Sequence, residues 1–541
     1  MPLSGFRESW GTGLVFAVAV ILQLLVYDPE LNLYDEGIIL VGAEQVFGGA
    51  LPYKDFWTLY GPGQFYLTSW LFSLIGVSDF AARVPGIASK AAITTLSYLV
   101  IGQVTQKGIA ATGALVTAAM LIGMRQDAFP VFPALALSMG AILLVVRSRA
   151  ERPTHLFAAG VCTGLAALFR HDLGAYNAAA IVSVLWIVTP RRSQIGQGGP
   201  RAAASGIGVY ALGVLLVVAP IAIYFFHAVP FGDLYEDLIG FPSRIYPAMR
   251  SLAFPGLGEL RNIFSQRVTD FAVYVPFVVG AGVLWLETYG KRQHMLRLVP
   301  EALGQRMAWV VPLLAVTSLI FTLKGLVRVS NIHMVQSLVL SVALICVTLT
   351  RLDLGVAAGR LYALFVILPA SIPIAVMAGQ GLMIAAHETS KAGEPGGMMD
   401  RCMNPPSHRA PCVTFDGDYV NAAEFVKSRS NSADSIYVGA MRHDKVFISA
   451  VAFYFVAERR PATKWYELHP GLQTRADVQT QMVAEMKGDP PRLVVLDSRW
   501  DGVQEANDSS RSTGVRLLDD YFVTHYFEVQ RFGSIRILAR R

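Results

Sequence analysis

The chain has 541 residues, of which 53% are hydrophobic and only 16% are charged, and its mean hydropathy is +0.46. Soluble globular proteins carry about a quarter charged residues, so this composition excludes a soluble enzyme and predicts a polytopic membrane protein. The net charge of +6 is small enough to arise from cytoplasmic loops alone, and it gives no indication of nucleic acid binding.

Apolar runs fill residues 10 to about 386, and eleven of them approach the roughly 20 residues that a helix needs to cross a bilayer. The predicted spans are 10–27, 85–104, 108–124, 129–146, 155–169, 173–189, 206–229, 270–287, 307–324, 333–350 and 360–386. The first span follows Arg7 but precedes no small-x-small cleavage site, so we interpret it as a retained anchor rather than a signal peptide. A twelfth run, 61–77, mixes aromatic and polar residues and is predicted to be an interfacial helix that does not span.

Lysine and arginine cluster in four of the connecting loops, and positive charge marks the cytoplasmic side of a membrane protein. The clusters are Arg147, Arg149 and Arg152; Arg191, Arg192 and Arg201; Lys291, Arg292, Arg297 and Arg306; and Arg351 and Arg360. With eleven spans, all four clusters fall on one side together with the amino terminus. The loops 28–83 and 230–269 and the region from about 388 onward are therefore predicted to be extracytoplasmic.

The composition changes at 388–411, which is rich in glycine, proline and charge, as is typical of a linker. The predicted domains are a membrane domain over 1–387 and an extracytoplasmic domain over 412–541. Cys402 and Cys412 fit either a disulfide that closes the linker or two free thiols.

The terminal domain alternates short β-branched runs with helical patterns, which favours a small α/β fold. The predicted strands are 435–439 and 492–497, and the predicted helices are 419–428, 445–457 and 476–487. The polar and aromatic segment 465–471 fits either a contact with an acceptor or a structural turn.

The first extracytoplasmic loop concentrates ionisable residues. Asp35 and Glu36 precede an apolar stretch, 37–47, that is predicted to lie on the membrane as an amphipathic helix, and Asp55 and Arg83 follow. A carboxylate at the level of the lipid headgroups can accept the proton of an acceptor, and an arginine can stabilise a departing lipid phosphate. The alternative is that Asp35 and Glu36 cap the helix.

Cations at three other extracytoplasmic helix ends are further candidates for binding a lipid phosphate, which a guanidinium recognises well. They are Arg125, Arg170 with His171, and Arg328 with His333. The alternative is that these side chains reach towards water or pair with a neighbouring aspartate. In the loop 230–269, carboxylates among aromatic residues fit either sugar contacts or an interfacial belt.

The motifs of this loop resemble the first extracytoplasmic loop of bacterial GT-C glycosyltransferases, the relatives of protein O-mannosyltransferases and lipid A aminoarabinose transferases. The matching segments are Asp35-Glu36-Gly37, GALPY at 49–53, Gly61-Pro62-Gly63 and FAARV at 80–84, with FRHDLG at 169–174, RVSNIH at 328–333 and the stretch 454–471 further on. The similarity extends over most of the chain.

The resemblance implies an α-helical GT-C fold, a polyprenyl-phosphate-linked sugar as donor, an inverting reaction, and Asp35 as the catalytic base with Glu36 beside it. The aminoarabinose branch has a Glu-Lys-Pro-Pro pattern where this chain has 59–62 as LYGP. Asp55 can replace that glutamate, which leaves the sugar type undecided. Metal dependence differs among the relatives, so no cofactor is predicted with certainty and a divalent cation is left open.

The sequence therefore predicts an integral membrane glycosyltransferase of a bacterial inner membrane, acting in cell-envelope glycan or glycolipid synthesis. It would transfer a sugar at the periplasmic face to a lipid, glycan or protein acceptor, in contact with membrane lipids. The alternative is a multi-pass transporter or lipid flippase, which would be expected to place ionisable residues at helix centres. The central segments of this chain are nearly free of charge.

Overall fold

The computed structural model describes residues 3–125, 127–149, 151–191, 199–256, 268–290, 293–405 and 407–541. Arg192, Lys291 and Arg292 of the predicted cytoplasmic clusters lie outside the described residues, as does the stretch 257–267 of the predicted loop 230–269.

A helical bundle forms the first part of the chain. Its helices are α1 Leu3–Leu25, α2 Asp35–Phe47, α3 Gly63–Ile75, α4 Asp79–Ile101, α5 Lys107–Met124, α6 Val131–Ser148, α7 Pro153–Phe169, α8 His171–Arg191, α9 Pro200–Ala228, α10 Phe231–Tyr235, α11 Tyr246–Arg250, α12 Val275–Trp285, α13 Glu301–Gly325, α14 Asn331–Arg351, α15 Ala357–Tyr362 and α16 Leu368–Lys391. A 3-10 segment, Val268–Tyr274, precedes α12, and π-helical turns follow α10, α12 and α15 at Glu236–Ile245, Leu286–Gly290 and Ala363–Ile367.

Nine helical segments within the described ranges are long and apolar enough to cross a membrane. Each of them overlaps one of the predicted spans. Two shorter apolar helices, Gly11–Leu25 and Pro153–Phe169, match the remaining predicted spans at 10–27 and 155–169. The prediction of a polytopic α-helical membrane fold is confirmed.

The run predicted to be interfacial forms α3, whose 13 residues measure about 20 Å at 1.5 Å per residue, too short to cross a bilayer. One face of α3 is buried through Phe65, Thr68 and Phe72, whereas Trp70 and Leu74 on the other face are exposed. This division is typical of a helix that lies between protein and lipid headgroups.

The prediction of an amphipathic helix on the membrane at 37–47 is wrong for helix α2. The stretch 37–47 does form a helix, but it does not lie on the membrane, since every residue from Glu36 to Ala43 is buried. Its apolar residues surround the helix rather than forming one stripe, and α3 and the terminal domain pack against it. A helix that is hydrophobic all round is stable only inside a protein.

The linker and terminal domain comprise α17 Met398–Met403, α18 Gly417–Arg429, β1 Ser435–Ala440, α19 Ala452–Ala457, β2 Arg460–Pro461, α20 Ala476–Gly488, β3 Leu493–Asp497, α21 Leu517–His525, β4 Tyr526–Phe532 and β5 Ile535–Arg540. The sheet order is β2-β1-β3-β5-β4. Strand β1 is parallel to β2 and β3, and β5 is antiparallel to β3 and β4. Cys402 and Cys412 form a disulfide in the linker.

Both predicted strands and the helices predicted at 419–428 and 476–487 are present, so the small α/β fold is confirmed. The helix predicted at 445–457 is wrong over its first half, because only Ala452–Ala457 is helical. The preceding residues include the β-branched Val446, Ile448 and Val451, which lose side-chain freedom in a helix, and this extended segment lines a cavity instead.

The terminal domain is seated directly on α2. The amide of Ala452 donates to the carbonyl of Leu33 over 2.8 Å, and the hydroxyl of Tyr466 donates to the carbonyl of Ile38 over 3.0 Å. The approach at Gly37 is so close that a Cβ atom there would lie 2.4 Å from the Ala452 amide nitrogen. Position 37 therefore requires glycine, and α2 is a shared element of both domains.

At the end of the bundle away from the terminal domain, loops that carry arginines and were predicted to be cytoplasmic lie close together. The amide of Arg297 donates to the carbonyl of Arg351 over 2.8 Å, and Arg297 and Arg306 line a groove with the residues that follow α4. These residues lie at the end of α4 and α14 away from the segment 28–36 and the terminal domain. Arg297, Arg306 and Arg351, three of the cations predicted to be cytoplasmic, thus lie at the end of the bundle opposite the loop 28–83.

Candidate active site

A cavity of about 750 Å³ lies where the beginning of α2, the α7–α8 junction, the segment 238–252, the α13–α14 turn and the terminal domain meet. The acidic and basic residues of its lining are Asp35, Arg170, His171, Asp172, Arg250, Lys324, Arg328, His333 and His469. Its apolar lining includes Leu59, Phe129, Leu238, Ile239, Leu252, Leu323, Val327, Ile332, Phe447 and Ile448. The cavity can therefore hold a ligand with both an anionic and an apolar part.

Asp35 is presented at the first turn of α2. The side chain of Asn32 accepts from the amides of Tyr34 and Asp35 over 3.0 and 2.8 Å, so these two amides at the beginning of α2 do not need the Asp35 carboxylate. Burial raises the pKa of Asp35 to about 6, against the charge of Arg250, which lowers it. At neutral pH the carboxylate is ionised and able to accept a proton.

Glu36 faces away from the cavity and pairs with Arg83. The guanidinium donates to both carboxylate oxygens over 2.9 and 2.7 Å, and it also donates to the carbonyls of Asp28 and Glu30 over 2.7 Å each. Both side chains are almost fully buried. This buried pair fixes the segment that leads into α2 and so holds Asp35 in place.

Arg170 and His171 lie at the junction of α7 and α8. Arg170 donates to both oxygens of Asp172 over 3.0 and 2.6 Å, and its guanidinium carbon lies 5.6 Å from the ring centroid of Tyr60. The pair with Asp172 was the alternative to phosphate binding. Arg170 is paired and also lines the cavity beside His171, so phosphate binding by Arg170 stays a prediction.

Lys324, at the end of α13, adds a cation that the sequence analysis did not single out. Its ammonium group has no hydrogen-bond or ion-pair partner among the residues that the structure describes, although it faces the cavity. His333 lines the same wall, and its Nδ1 atom lies 2.8 Å from the hydroxyl of Ser330. An unpaired ammonium beside an apolar wall is suited to bind an anion.

The terminal domain supplies the remaining wall. His469 lies in the segment 465–471, and its Nε2 atom is 3.0 Å from a carboxylate oxygen of Glu467, while Nδ1 is 2.9 Å from the hydroxyl of Tyr34. Burial lowers the pKa of His469 to about 3 and raises the pKa of Glu467 well above its ordinary value. The imidazole is therefore neutral, and this segment is a structural turn that also borders the cavity.

Four predicted site residues lie outside the cavity, and two of them, Glu36 and Arg83, form the buried pair described above. Asp55 accepts from the amide of Leu51 over 2.7 Å in an exposed turn, and Arg125 pairs with Asp28 over 2.9 Å. The structure thus brings together Asp35, Arg170, His171 and His333, but not Glu36, Asp55, Arg83 or Arg125.

Sequence reasoning missed Lys324 and Arg250, whereas His469 lies in the segment 465–471 that it had singled out. Lys324 carried a signal, since a lysine at the extracytoplasmic end of a predicted span runs against the usual distribution of positive charge. Among the described residues, no group of three or more histidine, cysteine or acidic side chains is placed to hold a metal ion. The divalent cation left open by the sequence stays untested.

Comparisons with known proteins bear on the fold. Residues 60–224 match a protein family described as dolichyl-phosphate-mannose-protein mannosyltransferase. The structure is similar to that of ArnT from Cupriavidus metallidurans bound to undecaprenyl phosphate, with a TM-score of 0.54 and 13% identity over 98% of each chain. It is also similar to the apo form of the Archaeoglobus fulgidus oligosaccharyltransferase, with a TM-score of 0.51 and 13% identity over 91% of this chain and 70% of that one.

No curated protein sequence matches the chain significantly. The chain has the fold of a GT-C membrane glycosyltransferase. The resemblance to this group that the sequence motifs indicated, and the fold expected from it, are confirmed.

Proposed function

We propose that this protein is a glycosyltransferase that transfers a sugar from a polyprenyl-phosphate donor to an acceptor at the extracytoplasmic face of a membrane. The observation that carries the proposal is the juxtaposition in one cavity of an ionised carboxylate, Asp35, with a group of cations and a largely apolar wall. A lipid phosphate presents the complementary features, because it joins a charged headgroup to a hydrocarbon chain.

In the proposed reaction, the carboxylate of Asp35 accepts the proton of an acceptor hydroxyl. The acceptor oxygen forms a bond to the anomeric carbon of the sugar, while the bond from that carbon to the donor phosphate breaks and its electron pair leaves with the phosphate. Attack from the face opposite the phosphate inverts the anomeric configuration. The products are the glycosylated acceptor, the polyprenyl phosphate and a protonated Asp35.

Arg170 and Lys324 are proposed to bind the donor phosphate, with His171 and His333 beside them. The charge that accumulates on the leaving phosphate is stabilised by cations that are already in place and need no reorganisation. Leu238, Ile239 and the other apolar residues of the cavity lining suit the first prenyl units. Glu36 and Arg83 would then act by positioning Asp35, and Asp55 and Arg125 have no direct role in this scheme.

The comparisons support the choice of donor. The ArnT structure similar to this one contains undecaprenyl phosphate. The family that matches residues 60–224 is described as dolichyl-phosphate-mannose-protein mannosyltransferase, a name that contains a lipid-phosphate-linked sugar. We propose a bacterial inner membrane as the location, with the amino terminus in the cytoplasm and the domain 412–541 in the periplasm. The product would then be a lipid, glycan or protein of the cell envelope.

Mass spectrometry of envelope glycolipids and glycans, with and without this protein, tests the function. Loss of one sugar modification, restored by the wild-type chain but not by Asp35→Asn, is the expected result. Unchanged envelope sugars in the deletion strain would count against the proposal. Accessibility of single cysteines tests the orientation, since positions in 412–541 should be labelled from outside and position 297 from inside.

A further inference from the structure

Two cavity-lining arginines are not used by the proposed reaction. Arg250 is nine-tenths buried, and its Nη1 atom makes no hydrogen bond within the part of the chain that the structure describes. Arg328 lies next to it and donates to the carbonyl of Arg250 over 3.0 Å. A buried guanidinium N–H without an acceptor is costly, so this atom marks a position where an oxygen of a ligand fits.

The terminal domain holds both arginines through one residue, Glu505. Arg328 donates to both oxygens of Glu505 over 2.9 and 2.7 Å, and Nη1 of Arg250 lies 3.7 Å from the nearer oxygen. Glu505 is fixed in turn by Asn507, which donates to it over 2.9 Å and to the carbonyl of Ser251 over 2.8 Å. These contacts join the terminal domain to the end of α11 and to the α13–α14 turn.

One carboxylate does not neutralise two guanidinium groups, so Arg250, Arg328 and Glu505 together keep a formal charge of +1. This differs from the α7–α8 junction, where Asp172 matches Arg170. Among the charged groups around Asp35, Arg250 has the largest effect on the pKa of that carboxyl, which is the effect of a close neighbour. This charge of +1 therefore lies beside the proposed base, and the ionised carboxylate of Asp35 balances it until Asp35 accepts a proton.

We propose that Arg250 and Arg328 form an oxyanion subsite next to Asp35, and that Glu505 is a positioning residue through which the terminal domain sets its geometry. The inference rests on the proposed function, because the role of this subsite in a reaction follows from that function. The ligand group is a phosphate or a carboxylate. Its source is either the donor phosphate or an anionic group on the transferred sugar or on the acceptor.

The experiment measures anion binding to the full-length protein in lipid nanodiscs. The first probe is polyprenyl phosphate without a sugar, and the second is inorganic phosphate added to protein already loaded with polyprenyl phosphate. The variants are Arg250→Gln, Glu505→Ala and Glu505→Asp. The matched control is Asp508→Asn, because Asp508 lies three residues away in the same segment and forms a more exposed ion pair with Arg511.

We expect Arg250→Gln and Glu505→Ala to weaken binding of one probe by about 10- to 100-fold, as is typical of a lost charged contact. Glu505→Asp should recover part of the affinity, since it restores the carboxylate on a shorter side chain, and Asp508→Asn should bind as the wild type does. Weaker binding of polyprenyl phosphate identifies the donor phosphate as the source. Weaker binding of inorganic phosphate alone identifies an anion on the sugar or the acceptor.

Unchanged affinity for both probes in Arg250→Gln, with a wild-type thermal unfolding transition, would overturn the subsite. Equal losses in Glu505→Ala and Glu505→Asp would overturn the positioning role, because a carboxylate at this position would then not matter. A protein that transfers no sugar but shows these affinity losses would refute the proposed function and leave the subsite standing.

Discussion

Replacement of Asp35 by asparagine tests the proposed chemistry most directly. Because burial raises the pKa of Asp35 to about 6, the carboxyl is about nine-tenths ionised at pH 7. Asparagine keeps the size of the side chain but cannot accept a proton. General base catalysis contributes about 10²- to 10⁴-fold to a rate, so Asp35→Asn should lower turnover by that factor while donor binding is retained.

The same substitution should stabilise the folded protein. The raised pKa means that folding disfavours the ionised carboxylate, and a rise of about two pKa units corresponds to about 3 kcal/mol. Water that enters the cavity reduces this penalty, and we expect about 1 to 3 kcal/mol. The penalty is fully present above about pH 6, where Asp35 is ionised in both the folded and the unfolded states, and it fades as the pH falls towards about 4.

The assay combines turnover of a polyprenyl-phosphate sugar with thermal unfolding at pH 8 and pH 4. Asp35→Asn should be nearly inactive at pH 8 and unfold at a higher temperature than the wild type, and at pH 4 the stability difference should largely vanish. The control is Asp416→Asn, since exposed Asp416 caps α18 and asparagine caps a helix equally well. Near-wild-type turnover by Asp35→Asn would refute the assignment of the base.

Three further substitutions separate binding, positioning and docking. Lys324→Gln should weaken polyprenyl phosphate binding by about 10- to 100-fold without lowering stability, since no described partner loses its contact; equal affinity in a titration would remove Lys324 from the phosphate site. Glu36→Gln removes the nearer of the two carboxylates beside buried Arg83, with Asp79 left at 3.9 Å, and should lower the free energy of unfolding by about 1 to 3 kcal/mol; an unchanged denaturation midpoint would contradict the structural role of the pair. Gly37→Ala places a Cβ atom against the backbone of α19 and should cost about 1 to 3 kcal/mol, seen as faster proteolysis of the linker than in Gly417→Ala, where the added methyl meets open space.

The sequence was sufficient for features that depend on local composition. The apolar runs predicted the spans because a bilayer requires about 20 consecutive apolar residues whatever the tertiary contacts are. Asp35 could be singled out because an acidic pair precedes an apolar stretch in a loop on the side away from the positive clusters. Asp35 lines the cavity, and its role as the base stays a prediction.

Features that depend on distant residues could not be predicted. Glu36 and Arg83 are 47 positions apart, and no pattern indicates that they neutralise each other instead of binding substrate. Helix α2 appeared amphipathic because the part of the terminal domain that covers it follows some 400 residues later. Arg250 lies in the loop 230–269, in which the sequence singled out only the carboxylates and the aromatic residues. Only the fold shows that Arg250 lines the same cavity as Asp35.

The seating of the terminal domain on α2 bears on how the protein is made. Tyr34 contacts the carbonyl of Leu468, 434 residues further along the chain. At about 5 to 20 residues per second, a ribosome needs about 20 to 90 s to synthesise that interval. During this time no part of the terminal domain packs against α2, and the cavity wall that includes His469 has not yet been synthesised. The membrane helices of a nascent chain are therefore synthesised before its cavity is closed, and the protein has a complete cavity only after the terminal domain has been made.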